Sequence, residues 1–313
     1  MIRARPAGPA SLAFVLAAGA CAAGAARDGD DDDDAPPIDA AAVSADAAAR
    51  GCEALDILFV IDNSISMSEE QDNLALNFPA FMQVIQQSRR DYRVAVTTTG
   101  VDYAFQVVTE PGGAPVPASL AGGDNGAMLR RTSCGMTKRW VDKTDADPAA
   151  TFACAAKVGT SGPTEEMPLA AMRRAFTDRV ADGVNAGFRR PDAMLALVIL
   201  TDEDDCSHEA PLTLGFGQGL CATGLEPPDG YRDFLDQYAG ARGRWAAAVI
   251  AYPGPGVCTS SFGSANAATR LARFVAGAPS NTTMSSICTG DLAIPLARAL
   301  DVFDKVCRDF PID

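Results

Sequence analysis

The chain of 313 residues predicts a doubly wound α/β domain, Rossmann-like, with a mostly parallel central sheet flanked by helices. Three observations carry that expectation. Ile57–Ile61, Ala193–Leu200 and Trp245–Tyr252 are apolar at every position, long enough for strands and too short for helices. Strands apolar on both sides belong in the middle of a parallel sheet that helices cover. Between them lie apolar stripes at helical spacing, so strand and helix alternate along the chain.

In order, Ile57–Ile61 is the first strand. Leu74, Phe78, Phe81, Met82 and Ile85 mark the helix after it. Pro79 lacks an N–H and clashes with the preceding turn, so it must kink that helix or begin a second part. Tyr92–Thr99 is the next strand, with Val94 and Val96 alternating against polar neighbours. From about residue 100 to 162 the pattern fails, and Gly and Pro clusters (Pro111–Pro117, Ala121–Gly126) take over. A structureless loop of that length is uncommon in a compact domain. The segment therefore reads as an insertion carrying a hairpin, Met136–Val141 against Thr151–Val158, stapled by Cys134 and Cys154. Leu169, Met172, Phe176 and Val180 mark a helix before Ala193–Leu200. Leu292, Leu296, Leu300 and Phe303 mark a C-terminal helix that ends beside Cys307.

A hydrophobic content of 48% is that of a globular chain. The formal net charge of −14 argues against nucleic acid, whose phosphates require basic patches, and against simple docking on anionic lipid. Beyond the N-terminus no run reaches the ~18 apolar residues of a spanning helix. Arg3 and Arg5 followed by the apolar Ser11–Ala20 read as an export signal over residues 1–21. Ala18-Gly19-Ala20-Cys21 resembles a bacterial lipobox, which implies cleavage before Cys21, its acylation and an anchor in the cell envelope, with Ala22 favouring the outer membrane. An ordinary signal peptide cut near Ala20 is the alternative. Residues 22–50, rich in Ala, Asp and Pro with the acidic run Asp30–Asp34, read as a disordered, self-repelling tether to the domain at 51–313.

Of nine cysteines, setting Cys21 aside leaves an even number, as expected for disulfides in an oxidising compartment. Many connectivities are open. Joining neighbours pairs Cys134 with Cys154, Cys206 with Cys221 and Cys258 with Cys288, and leaves Cys52 and Cys307 to clamp the domain's ends. With no CxxC and one histidine, His208, the usual zinc ligands are missing.

In open α/β sheets ligands bind beyond the carboxyl ends of the strands. Asp62, Ser64 and Ser66 follow the first strand, and Thr201 and Asp202 follow Ala193–Leu200. Two carboxylates and two hydroxyls are hard oxygen donors suited to Mg²⁺, or to Mn²⁺ or Ca²⁺, with water completing the shell. An ion with so few charged ligands stays electrophilic and can take a carboxylate from a partner. Ser64 and Ser66 as mere helix caps are the plain alternative.

Asp62-Asn63-Ser64-Ile65-Ser66 resembles the Asp-x-Ser-x-Ser signature of the metal-ion-dependent adhesion site (MIDAS) in von Willebrand factor type A (vWA) domains. Asp56–Ile61 before it and Met67 after it resemble that family too, and Leu200-Thr201-Asp202 resembles its second-aspartate motif. The resemblance spans about residues 54–306. It implies a doubly wound fold and an ion held by Asp62, Ser64, Ser66, Asp202 and a threonine before the third helix. That threonine would be Thr164, beside the Leu169 stripe, or else Thr160. The resemblance also implies binding of a protein or glycan carboxylate without catalysis or a small-molecule cofactor. Thr201–Cys206 and Ser286–Cys288 resemble a narrower group, exported bacterial vWA lipoproteins.

Other features are set aside. Glu203, Asp204 and Asp205 read as a solvated loop, and His208 as an incidental exposed one. No Gly-x-Ser-x-Gly elbow occurs, and a metal-assisted hydrolase would have to use Glu203 or Asp204 as its base. Gly215–Gly219 does not open a helix after a strand, so it is no phosphate cradle. A structural envelope protein whose metal only steadies the loops is the remaining alternative.

Overall fold

The computed structural model describes residues 51–208 and 210–311. The expected leader, Cys21 and the acidic tether lie outside them. The described chain is mixed α/β. Its strands are β1 (Ala54–Ile61), β2 (Asp91–Thr98), β3 (Tyr103–Val107), β4 (Val116–Leu120), β5 (Val141–Asp142), β6 (Met194–Leu200), β7 (Thr213–Leu214), β8 (Trp245–Ile250), β9 (Val257–Ser260), β10 (Gly263–Asn266) and β11 (Thr282–Ser285). Its helices are α1 (Ser68–Gln87), α2 (Pro148–Ala155), α3 (Pro168–Phe176), α4 (Asp178–Ala181), α5 (Pro228–Ala239), α6 (Thr269–Ala276) and α7 (Ala293–Arg308).

Six strands form the central sheet in the order β11-β8-β6-β1-β2-β5. All pairings are parallel except β2 with the edge strand β5. Ile61 lies opposite Thr98 on one side and Leu200 on the other, and Leu200 lies opposite Ile250. The carboxyl ends of β1, β2, β6 and β8 therefore finish level.

Side chains alternate across a strand, so β1 feeds two cores. Ile57, Phe59 and Ile61 pack with Phe78 and Phe81 of α1, Phe152 of α2 and Phe303 of α7. Leu58 and Val60 pack with Leu169 and Met172 of α3, Leu235 of α5 and Phe274 of α6. Both faces of the strand are dry, which is why its sequence is a continuous apolar run. The Phe59 ring meets Phe78 and Phe152 edge-on, at 5.7 and 4.7 Å between centroids.

The insertion differs from its expected form. The hairpin is β3–β4, and β7 joins it in a separate three-stranded sheet. No hairpin joins Met136–Val141 to Thr151–Val158. Val141 and Asp142 instead extend the main sheet, and Thr151–Ala155 belongs to α2. Asp147 caps that helix, its carboxylate accepting from Ala150 N at 2.9 Å, and Pro148 occupies the first turn, where its missing N–H is harmless. Those start signals outweigh the strand-like residues around them. In α1, Pro79 lies inside one continuous helix and begins no second part.

Four disulfides join Cys52 to Cys307, Cys134 to Cys154, Cys206 to Cys221 and Cys258 to Cys288, the same pairs as the neighbour rule. Cys52–Cys307 closes almost the whole domain and is backed by Cys52 N donating to Cys307 O at 2.9 Å. The bridges suit an oxidising compartment. No helix among the described residues is long and apolar enough to cross a membrane.

Phe59→Ala removes the ring on which α1 and α2 meet. We expect it to lower the unfolding free energy by about 3–5 kcal/mol, read as a lower urea midpoint at unchanged slope.

Candidate metal centre

The backbone ladder runs one residue past the strands. Asp62 N donates to Leu200 O at 2.9 Å, and Thr201 N donates to Ile250 O at 3.2 Å. Asp62 and Thr201 are thus held in sheet register while the chain turns away. Asp62 is fully buried. Its Oδ1 accepts from Ser64 N at 2.7 Å and its Oδ2 from the Thr201 hydroxyl at 2.6 Å. The Ser64 and Ser66 hydroxyls lie 3.1 Å apart. A 3-10 turn, Ile65–Met67, leads from them into α1 and leaves Ile65 86% exposed.

Asp202 sits across from this loop at 3% exposure, and its Oδ1 has no hydrogen-bond donor. Burial raises its pKa, while the Ser66 hydroxyl beside it pulls the other way. Burial likewise pushes Asp62 up to about 6, against the Thr201 and Ser64 hydrogen bonds, and the Asp202 charge adds to the rise. Asp62, Ser64, Ser66 and Asp202 are therefore brought together at one point of the sheet's carboxyl edge. Thr164 is not drawn in: it is exposed, and it makes no hydrogen bond among the described residues. Thr160 is half-buried, next to Gly159.

Three residues without a sequence signature complete the surroundings. Gln71, one turn into α1 and buried, donates through Nε2 to Asp62 O and Gly159 O, each at 2.9 Å, and its Oε1 accepts from Gly159 N at 3.1 Å. It ties the Asp62 loop to the loop before α3. Gly162 N donates to Asn63 O at 2.8 Å on the same seam. A Cβ at Gly162 would strike the Asn63 side chain, which would have to move aside. Glu70 is buried with Oε2 lacking a donor, and burial, Asp202, Glu69 and Asp62 push its pKa up to about 7. Gly263 of β10, at φ +118°, passes where a Cβ would meet that carboxylate. Glu166 is buried too, and burial, the Asp62 charge and Glu203 push it up to about 10. The only sequence hint is that Gln71 and Glu70 follow the Asp62 motif on one helix and Glu166 directly precedes another.

The acidic run after Asp202 is not a solvated loop. Asp204 caps α6, accepting from Arg270 N and Leu271 N at 3.0 and 3.2 Å and from the Thr269 hydroxyl at 2.9 Å. Asp205 is fully buried, paired with Arg270 at 3.0 Å, and accepts from Leu169 N of α3 at 3.1 Å. His208 is buried, not exposed. Its ring stacks on Tyr103 at 4.9 Å, and its two nitrogens each lie 3.1 Å from a carbonyl, Gly224 O and Leu220 O. Helix starts that lack local caps recruited Asp204 and Asp205 from across the fold.

The donor set suits a hard cation. Carboxylate and hydroxyl oxygens are what Mg²⁺, Mn²⁺ and Ca²⁺ take, and the donorless Asp202 Oδ1 is a buried acceptor in need of positive charge. Among the described residues, the group of three acidic or sulfur side chains whose ligand atoms lie within 4.8 Å of one another is Glu165, Cys206 and Cys221, and both of its sulfurs are spent in a disulfide.

No family model matches the chain. No curated protein matches it either. Among solved structures it is similar to proximal thread matrix protein 1 from the mussel byssus, at 15% identity and a TM-score of 0.40, over 82% of this chain and 46% of that one. The chain spans less than half the length of that protein.

Raised carboxyl pKa values mean that the folded, metal-free protein holds protons the unfolded chain has lost, so stability falls as pH rises. The contribution is whole below pH ~4, where unfolded carboxyls titrate. It is lost through about 6 for Asp62 and about 7 for Glu70, and onward to about 10 for Glu166. We expect the metal-free chain to melt at a higher temperature at pH 5 than at pH 8 in matched ionic strength, as measured by calorimetry.

Proposed function

We propose that the described domain is a vWA-like, doubly wound binding module of the cell envelope. It holds a divalent cation, Mg²⁺ or alternatively Mn²⁺ or Ca²⁺, on Asp62, Ser64, Ser66 and Asp202. Through that ion it recognises a carboxylate on a protein or glycan partner. The observation that carries this reading is the meeting of Asp62 and Asp202 at the sheet's carboxyl edge, both buried, with Asp202 Oδ1 lacking a donor. A buried carboxylate oxygen without a donor is costly, and a cation at that point removes the cost.

Further support comes from the surroundings. The level strand ends are where open α/β sheets bind ligands. On a chain of net charge −14, a bound cation would be a local focus of positive charge for an acidic group. Ile65, 86% exposed beside the hydroxyls, offers an apolar contact to a partner's surface. Binding fits better than hydrolysis, because Asp204, one of the two residues that could serve as a hydrolase's base, is spent on α6. Export is supported by the four disulfides, and the lipid anchor rests on the resemblance around Cys21.

Isothermal titration of the full chain with Mg²⁺ and Mn²⁺ tests the reading. Wild type should bind, and Asp202→Asn should weaken binding by about tenfold or more. A wild-type chain silent at millimolar metal sinks the proposal. Affinity capture with Mg²⁺ against EDTA then separates recognition from a metal that only steadies the loops, which would raise the melting temperature and leave the captured partners unchanged.

A further inference from the structure

We infer that the solvent face of α1 is a contact between two copies of this chain, paired antiparallel about Ala80. The inference does not rest on the cation reading above.

Three observations point to a second copy as the occupant. The face is uncharged: no charged residue lies between Asp72 and Arg89, nor in Pro148–Ala155 of α2, which packs beside α1. A chain of net charge −14 repels its own copies, and a neutral face is where two of them can approach. The face is also apolar. Leu76 is 78% exposed and Val84 50% exposed, with the exposed Ala80 midway between them. Spaced by four residues, the three side chains form one ridge along the helix. The small residue at its centre lets a second helix cross at about 8–10 Å. Finally, the ridge carries both a knob and a hole. Leu76 is the knob. Beside Val84, between α1 and α7, lies a cavity of about 200 Å³ lined by Leu55, Val84, Ile85, Leu300 and Phe303. Arg90 and Asp304, paired at 2.8 Å, also border it.

Leu76 and Val84 are two turns apart on one helix, about 12 Å along its axis. A two-fold axis through Ala80, perpendicular to α1, exchanges the two positions. Leu76 of each copy then enters the cavity of the other, and both contacts form at once. Such an isologous contact closes as a dimer, whereas a head-to-tail contact would continue into a ring or filament. Because α1 starts at the sheet's carboxyl edge and ends before β2 begins, the pair presents its two carboxyl edges at opposite ends.

The test is sedimentation velocity of the full chain over a range of concentrations, on wild type, Leu76→Asp, Val84→Arg and the double variant. Wild type should show a monomer–dimer equilibrium. Each single substitution should weaken it by about tenfold or more, since it places an unpaired charge in an apolar contact. The double variant should recover part of that loss, because the antiparallel register sets the new carboxylate of one copy against the new guanidinium of the other. Both positions are exposed, so the variants should melt as wild type does. A wild type that stays monomeric at high micromolar concentration overturns the proposal and leaves the face to a different partner. A dimer that both single variants leave intact overturns it too, by placing the contact elsewhere. Single variants that dissociate with no recovery in the double variant overturn the antiparallel register, and with it the entry of Leu76 into the cavity.

Discussion

A carboxylate denied water at the end of the first strand, Asp62, is the constraint on which the arrangement of the sheet's carboxyl edge depends. Both of its oxygens are taken, one by the Ser64 amide and one by the Thr201 hydroxyl. Each bond comes from a different chain segment, so satisfying Asp62 aligns the turn after β1 with the turn after β6. Parallel register does the rest, because Ile61, Leu200 and Ile250 end level. The price is a set of buried acids, Asp202, Glu70 and Glu166, whose oxygens are not all satisfied by the protein.

Around that edge, buried polar side chains do the positioning that hydrophobic contact alone would leave loose. Gln71 links the Asp62 loop to the segment before α3. Asp204 and Asp205 anchor the loop after Asp202 to the starts of α6 and α3. The Cys206–Cys221 bridge closes the same loop a few residues on. Buried pairs such as Asp205 with Arg270 add little net stability, since desolvation offsets their attraction, but they penalise any other placement of the loop. A site assembled from loops needs that kind of restraint if its oxygens are to stay within reach of one ion.

The fold was legible where local pattern and tertiary environment ask for the same residues. Ile57–Ile61 and Ala193–Leu200 are apolar throughout because both faces of β1 and β6 are covered. The stripe from Leu74 to Ile85 is the face of α1 that meets Phe59. The insertion was less legible. The strands β3 and β4 do alternate in burial, but of their residues only Tyr103 is fully buried, so the short stretches Tyr103–Val107 and Val116–Leu120 carry a weak apolar signal. Around Thr151 a helix-start signal at Asp147-Pro148 outweighed strand-like residues.

At the candidate site, sequence by itself determined the parts that lie next to a strand end. Asp62, Ser64, Ser66 and Asp202 could be named because a strand's last residue fixes where the next few must be. Only the tertiary structure decided that Thr164 faces solvent, that Glu166 and Glu70 are buried with donorless oxygens, and that Asp204, Asp205 and His208 are internal fasteners. These outcomes depend on contacts between segments far apart in the chain. No local spacing records which of two nearby oxygen-bearing side chains will turn inward when three loops close over one another.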